Sequence, residues 1–279
     1  MSYKTLVTHW DGAELATHRL DLAVNLATRF DSHVIAVCFG ILPPPPAYSY
    51  GGAITGLTTE EIEEAQTHAS ALADKARESL DRSSNHGETQ PVICGLDGLA
   101  ANFGARARYA DLAIVGQPYG GPDEDVLVRV VEGALFDGCA ATLVCPNRVV
   151  NSVGESILIA WNGSPEALRA VRSALPFLYD GKRIELLLVD PIVGPIDYGE
   201  EPGTQVALML ARRGLKVDVT RLPDLGKRTS TVIREHAGNT GADLLVMGAY
   251  GHSRFQEFVL GGVTRGILEN VPIPVLMSH

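Results

Sequence analysis

The 279-residue sequence contains few cysteines, and they follow no metal-binding pattern. The four are Cys38, Cys94, Cys139 and Cys145, and they form neither a C-x-x-C pair nor a zinc-ligand spacing. Three of them lie in or beside apolar, strand-like runs, which predicts buried or half-buried thiols. Unpaired thiols are typical of reducing compartments, so we expect a cytoplasmic protein.

Long apolar runs and an excess of basic residues are also missing. No run of about 18 apolar residues is present, so a transmembrane helix is not expected. The first residues, MSYKTLVTHWDG, contain no apolar core of the kind found in signal peptides. The 23 Lys and Arg are outnumbered by 33 Asp and Glu, which gives a net charge of -10. That charge disfavours a nucleic-acid backbone or an anionic membrane as partner.

Several sequence motifs of enzymes are absent. The chain has no G-x-G-x-x-G dinucleotide motif, no G-x-S-x-G and no H-E-x-x-H. The segment Gly226–Thr229 resembles the end of a Walker A motif. It lacks the upstream glycine, however, and has Arg228 where that motif needs Ser or Thr. No convincing pairing of a nucleophile with a general base lies beside the glycine-rich segment at residues 248–264.

What is present is the composition of a globular protein and an internal repeat. Hydrophobic residues make up 46% and charged residues 20%. LVTHWDG (6–12) matches LIAWNG (158–163), and ADLAIVG (110–116) matches ADLLVMG (242–248). The length suits two domains of about 140 residues. We therefore predict domains at residues 1–146 and 154–279, joined by a polar linker.

Each half reads as strands that alternate with helices. In the first half the strands are predicted at residues 4–9, 33–39, 89–94, 112–116 and 141–145. Alternation of this kind favours parallel strands with right-handed crossovers. The predicted fold class is α/β, as two tandem open, parallel five-stranded sheets with helices on both faces, similar to a Rossmann fold.

Local signals mark several helices. Thr58 and Glu61 form a capping-box pattern, and Ser164-Pro165-Glu166 combines an N-cap residue with an N-terminal proline. The first helix has a predicted apolar face made of Leu15, Leu22, Leu26 and Phe30.

The glycine-rich segment near the C-terminus is the most informative part of the sequence. It contains Gly248-x2-Gly251-x9-Gly261-Gly262-x-Thr264, beside a helical pattern. Glycines that let a ligand approach the backbone, next to a hydroxyl, are components of a phosphate-binding loop. In open α/β sheets ligands bind beyond the carboxyl ends of the strands, where the strand order reverses. If the first and fourth strands are neighbours, the loops that follow them would form the site.

This spacing, with the strand before it and the Pro-Val strand after it, resembles the nucleotide-binding members of the universal stress protein family. The resemblance covers the chain twice and is strongest over residues 155–279. It implies an adenine nucleotide alpha hydrolase-like fold and ATP, or a related adenine nucleotide, with or without Mg²⁺, in the C-terminal half. The residues that it implies for binding are Asn162, Val189, Met247, Gly248, Gly251, His252, Arg254, Gly261, Gly262, Val263 and Thr264.

Two positions depart from the family pattern. Gly262 stands where serine is common, which removes a hydroxyl but keeps the backbone N–H. Asn162 stands where nucleotide binders usually carry the aspartate that receives the adenine amino group, and its amide oxygen can still accept a hydrogen bond. The resemblance also implies that Val189 offers backbone groups to the adenine. His252 and Arg254 remain open between phosphate contacts and ordinary exposed loop residues.

The first half lacks most of the glycine pattern. Aligning the ADL motifs keeps Gly116 but places Tyr119, Arg129, Val130 and Glu132 opposite Gly251, Gly261, Gly262 and Thr264. Bulky side chains and a carboxylate would disfavour phosphates there, although Asp11 retains the better adenine partner. We therefore expect a degenerate site in this half.

The resemblance further implies an intramolecular pseudo-dimer of the two halves, paired through their last strands, residues 141–145 and 273–277, with a further homodimer left open. We expect a stress-response binding and signalling module. A slow ATP hydrolase of the same fold and a nucleotide-free interaction scaffold remain alternatives. The Pro- and Tyr-rich segment at residues 40–56 is open between a ligand lid, a partner contact and a plain surface excursion.

Overall fold

The computed structural model describes residues 2–44, 57–82, 87–191, 201–250 and 262–279. Within those ranges, no helix has both the length and the apolar character needed to cross a membrane. Most of the Pro- and Tyr-rich segment, residues 45–56, lies outside the described residues. Cys38, Cys94 and Cys145 are buried, as predicted, and Cys139 is exposed.

The chain divides into two compact units. One, here called the N-terminal unit, consists of Tyr3–Val115 and Asp125–Ala140. The other, the C-terminal unit, consists of Met1–Ser2, Gly116–Glu124 and Ala141–His279.

The first half alternates strands and helices as its sequence predicts. Its elements are β1 (Thr5–His9), α1 (Glu14–Phe30), β2 (His33–Leu42), α2 (Thr59–Asp81), β3 (Gly87–Gly95), a 3₁₀ turn (Leu96–Gly98), α3 (Leu99–Ala107), β4 (Leu112–Gly116), α4 (Glu124–Glu132) and a π-helical turn (Gly133–Asp137). The strands run in the order β3-β2-β1-β4 and all pair in parallel. Each predicted strand of this half up to residue 116 is confirmed within a few residues of its predicted bounds.

The first half ends with β5 (Thr142–Cys145), and the second half repeats the pattern. The elements of the second half are β6 (Ser156–Ala160), α5 (Pro165–Ser173), α6 (Leu175–Asp180), β7 (Arg183–Val189), α7 (Thr204–Ala211), β8 (Asp218–Leu222), α8 (Thr229–Thr240), β9 (Leu244–Gly248), α9 (Gly262–Leu268) and β10 (Val275–Ser278). In the C-terminal unit the strands run in the order β5-β10-β9-β6-β7-β8. The α/β class with a mostly parallel sheet is therefore confirmed.

One strand pair of the C-terminal unit is antiparallel. β5 pairs with β10, with Val144 opposite Val275 and Leu143 opposite Leu276. All four of these side chains are fully buried. The last strand of the first half thus lies in the C-terminal unit and gives its sheet a sixth strand. By pairing, each of these apolar strands covers an edge of the other that would otherwise be exposed.

Local capping signals are confirmed where the sequence predicts them. Thr58 Oγ1 accepts a hydrogen bond from the Glu61 N–H at 3.2 Å, and Glu61 Oε2 accepts one from the Thr58 N–H at 2.7 Å. The backbone hydrogen bond from Thr58 lowers the pKa of the Glu61 carboxyl. On α1, Leu22, Leu26 and Phe30 are buried, but Leu15, in the first turn of the helix, is 39% exposed.

The strand order reverses at β6. β7 and β8 lie on one side of β6, and β9 and β10 lie on the other. β6 and β9, the first and fourth strands of this repeat, are neighbours, as are β1 and β4 in the N-terminal unit. The sequence predicts a ligand site at the strand ends if the first and fourth strands are neighbours. Both halves meet this condition.

Candidate functional site

A cavity of about 390 Å³ opens at the carboxyl ends of β6, β7 and β9 in the C-terminal unit. The starts of α8 and α9 also contribute to its walls. Seven of the residues predicted to bind a nucleotide line it: Asn162, Val189, Met247, Gly248, Gly262, Val263 and Thr264. The structure thus brings together residues that are up to about 100 positions apart in the chain.

The floor of the cavity is apolar because the central strands end there. Ala160 lies at the end of β6 and is flanked in register by Leu187 of β7 and Met247 of β9. Val189 and Ile233 add further apolar surface. Because Ala160 has only a methyl group, space remains between the longer side chains beside it. A flat, largely apolar ring is the kind of group that this floor can accept.

The turn after β6 is fixed by its own hydrogen bonds. The Trp161 N–H donates to the Leu187 carbonyl at 2.9 Å, which extends the sheet by one residue. Asn162 Oδ1 accepts from the Ser164 N–H at 3.1 Å. Ser164 Oγ then accepts from the Ala167 N–H at 3.1 Å and caps α5, with Pro165 in the first turn. These bonds hold the exposed Asn162 at the cavity rim.

Gly248 and Gly262 occupy different environments. A Cβ at Gly248 would lie 2.6 Å from the Ala167 backbone nitrogen and 2.9 Å from the Glu166 carbonyl carbon. A Cβ at Gly262 would meet nothing within 4 Å among the described residues. Gly248 is therefore required for the close approach of α5 to β9, whereas Gly262 leaves open space beside the cavity.

Thr264 is buried, with 4% of its surface exposed, although it lines the cavity. Its Oγ1 accepts a hydrogen bond from the Tyr250 N–H at 3.4 Å, which is a long bond. Within the described residues, the Thr264 hydroxyl donates no hydrogen bond of its own.

Four predicted residues lie outside the described part of the chain, namely Gly251, His252, Arg254 and Gly261. Their predicted roles remain predictions.

Nine further lining residues are not among the predicted binding residues, and two of them, Trp161 and Asp190, directly follow strands. Asp190 directly follows β7, has a left-handed backbone with φ of 44°, and donates its N–H to the Leu222 carbonyl at 2.8 Å. The signal for both was available, because each is the first residue after a predicted strand, at the edge where ligands bind.

A second, open cavity of about 510 Å³ adjoins the first. The two share Thr229, Gly262 and Val263 as lining residues. The second differs in charge, because two arginines and a glutamate line it: Arg228, Arg265 and Glu269.

The N-terminal unit repeats the turn geometry of the cavity. The Trp10 N–H donates to the Val37 carbonyl at 3.0 Å, and Asp11 Oδ1 accepts from the Ala13 N–H at 2.9 Å. These bonds match those of Trp161 and Asn162, so the two halves can be compared residue by residue.

This comparison places larger side chains at the strand ends of the first half. His9 pairs with Val37 in register, as Ala160 pairs with Leu187, so His9 is the equivalent of Ala160. Two residues beyond Val37, Phe39 is the equivalent of Val189. The rings of His9 and Phe39 lie 5.7 Å apart, and both residues are buried. They occupy the positions that line the cavity floor in the C-terminal unit.

Burial also determines the charge of His9. It lowers the pKa of His9 to about 4, with the Arg19 guanidinium acting in the same direction and Asp11 opposing it. Arg19 is itself buried and donates from Nη2 to the His9 carbonyl at 3.1 Å. A neutral imidazole therefore fills this position at pH 7.

The residues aligned with the glycine pattern are used differently in the first half. Val130 is fully buried in α4. Arg129 donates from Nη1 to the Asp125 carbonyl at 2.8 Å and lies 3.7 Å from the Asp97 carboxylate. Tyr119 belongs to the C-terminal unit, where its ring centroid lies 5.6 Å from the Arg265 guanidinium.

Comparisons with known proteins agree with this geometry. The sequence model of the universal stress protein family matches residues 155–279. Universal stress protein Slr1230 from Synechocystis sp. is 38% identical over 68 residues, which span 24% of this chain and 23% of that protein.

Solved structures extend the likeness in fold. A universal stress protein from Archaeoglobus fulgidus DSM 4304 has a TM-score of 0.70 at 16% identity, covering 98% of this chain and 97% of that one. A functionally unknown protein from Pseudomonas aeruginosa PAO1 has a TM-score of 0.59 at 14% identity, covering 98% and 92%.

The fold and the cavity define an α/β protein with a ligand-sized cavity at the point where its strand order reverses. Within that class, residues 155–279 are a domain of the universal stress protein family.

Proposed function

We propose that residues 154–279 bind ATP or a related adenine nucleotide and that the protein acts as a stress-response binding and signalling module. The observation that supports this most directly is the single cavity that gathers seven predicted residues at the switch point of a family domain. The buried thiols support a reducing, cytoplasmic setting for that role.

The first cavity suits an adenine ring. Ala160, Val189 and Met247 offer an apolar surface, and Asn162 stands at the rim. An amide oxygen has two lone pairs, and the Ser164 N–H uses one of them. The second lone pair of Asn162 Oδ1 can accept from the adenine amino group.

The phosphate chain would extend past Gly262, where no side chain stands in the way among the described residues. The Thr264 hydroxyl and the Gly262 backbone would contact it. Mg²⁺, where present, would be held mainly by the phosphates, since this ion is usually bound through few protein groups. Within the described ranges, no group of three or more His, Cys, Asp or Glu side chains is placed to hold a metal.

We further propose that residues 1–146 and 154–279 are two universal stress protein-like domains that associate as an intramolecular pseudo-dimer. The antiparallel pairing of β5 with β10 supports this arrangement, because each half contributes its last strand.

The binding proposal can be tested by giving the C-terminal cavity the floor of the first half. In Ala160→His with Val189→Phe, two rings would occupy the space proposed for adenine. We expect ATP binding, measured by isothermal calorimetry, to weaken at least about a hundredfold. The reason is that the adenine ring would lose its buried apolar contacts, which contribute several kcal/mol to the binding free energy.

Val149→Phe provides the control, since Val149 is 49% exposed and is not among the lining residues. It should bind ATP as the unmodified protein does. Unchanged ATP affinity in a folded double variant would show that adenine does not bind in this cavity.

A further inference from the structure

The second cavity carries positive charge in a chain whose net charge is -10. Two guanidinium groups and one carboxylate line it, which leaves one formal positive charge. The first cavity, by contrast, is floored by apolar side chains. A ligand that occupied both cavities would therefore need an apolar ring at one end and negative charge at the other.

Arg265 is held in place while much of its hydrogen-bonding capacity stays available. Its Nε donates to Glu269 Oε1 at 2.8 Å, and its guanidinium lies 5.6 Å from the centre of the Tyr119 ring. Within the described part of the chain, its two Nη atoms make no hydrogen bond. A guanidinium fixed along one edge presents its remaining N–H groups at little entropic cost, which suits an oxyanion.

Arg228 lines the same cavity and is the residue that precedes α8. It is exposed, and its side chain makes no capping hydrogen bond to the first turn of this 12-residue helix. Thr229, the next residue, lines both cavities. Arg228 therefore lies where the charged end of a ligand that extends out of the first cavity would pass.

We infer, resting on the proposed adenine-nucleotide function, that the terminal phosphates of the nucleotide enter the second cavity and contact Arg228 and Arg265. The site then prefers nucleoside triphosphates to monophosphates. Adenosine contacts belong to the first cavity, and the arginines act only on the phosphate end.

Calorimetric titrations with ATP, ADP, AMP and adenosine would test this inference in the full chain. Arg228→Gln and Arg265→Gln should each weaken ATP binding about tenfold, the effect of losing one charge-assisted hydrogen bond. AMP and adenosine affinities should change less than about twofold. Arg228→Lys, which keeps the charge, should retain part of the ATP preference.

Arg212→Gln is the matched control, because Arg212 is an exposed arginine of the same unit that lines neither cavity. It should leave all four affinities unchanged, and circular dichroism would confirm that each variant folds. The inference would be overturned if the folded Arg228→Gln and Arg265→Gln variants lost as much affinity for AMP as for ATP, or lost no affinity for ATP. If adenosine still bound in that case, the proposed function would stand. If the unmodified chain binds none of the four ligands, the proposed function itself fails.

Discussion

Gly248 and Gly262 both belong to the predicted glycine pattern, but they lack side chains for different physical reasons. At Gly248 the backbone of α5 comes so close that a methyl group would overlap the Ala167 nitrogen. Backbone atoms of a packed helix cannot move cheaply, because the interior is dense. At Gly262 the corresponding space is open within the described residues. One glycine thus serves packing, and the other keeps room for a ligand.

These two glycines give a paired prediction. Gly248→Ala should destabilise the protein by about 1–3 kcal/mol, the usual effect of overpacking. Gly262→Ala should fold as well as the unmodified protein or slightly better, since alanine is favoured over glycine inside a helix. The second variant should also keep ATP affinity within about twofold, because a methyl group at Gly262 meets open space among the described residues and leaves the backbone N–H in place.

Urea unfolding followed by circular dichroism, combined with ATP titration, would measure both effects. A stable Gly248→Ala variant would contradict the packing role of Gly248. A large loss of ATP affinity in folded Gly262→Ala would contradict the open space assigned to Gly262.

At the residue scale, the sequence predicts features that depend on neighbouring positions. Thr58 and Glu61 form their capping box because both partners lie within one turn. The separate role of Gly248 could not be predicted, because it depends on Glu166 and Ala167, about 80 positions earlier in the chain. The exposure of Leu15 likewise could not be predicted. It depends on which residues pack against the start of α1, and helical periodicity carries no information about them.

At the scale of elements, the pairing of β5 with β10 joins strands that are about 130 residues apart in sequence. Both strands are fully buried. Next to them, Arg148 donates from Nη2 to the Pro272 carbonyl at 2.8 Å. The segment between β5 and β6 is mostly exposed, so the connection itself contributes little burial.

This arrangement predicts that the chain holds together after it is cut. A protease site inserted between Val150 and Asn151 and then cleaved should leave two fragments that stay associated, because paired buried strands do not depend on the connection. Size-exclusion chromatography should show one species at the elution volume of the uncut chain. The same insert left uncleaved is the control, and separation of the fragments without denaturant would contradict the proposed pseudo-dimer.

Strand positions could be predicted because short runs of Val, Ile and Leu are strong local signals. The strand order at β6 did not follow in the same way, because alternation with helices and right-handed crossovers favours parallel strands without fixing which of them are neighbours. The place of β5 in the C-terminal unit did not follow from its own sequence. TLVC is apolar and short, and its partner is fixed only by packing.

At the scale of the whole molecule, two repeats share one backbone plan but differ in their proposed sites. The sequence located this asymmetry in the glycine pattern, at Tyr119, Arg129, Val130 and Glu132. The structure adds a difference at the other end, where His9 and Phe39 replace Ala160 and Val189. The aligned motifs already place His9 opposite Ala160. The equivalence of Phe39 with Val189 could not be predicted from them, because it depends on strand register.

We therefore expect one nucleotide per chain, bound in the C-terminal half. The His9 and Phe39 rings occupy the position equivalent to the proposed base site. A nucleotide base could enter there only by displacing these side chains from a dense core, at a cost of about 1–3 kcal/mol or more. The loss of the glycine pattern acts in the same direction, so the two effects together weaken binding by orders of magnitude. Equilibrium titration with ATP should give a stoichiometry near one, and the Ala160→His with Val189→Phe variant should reduce it toward zero. A stoichiometry near two, with one site surviving in that variant, would show that the first half binds nucleotide despite its filled strand ends.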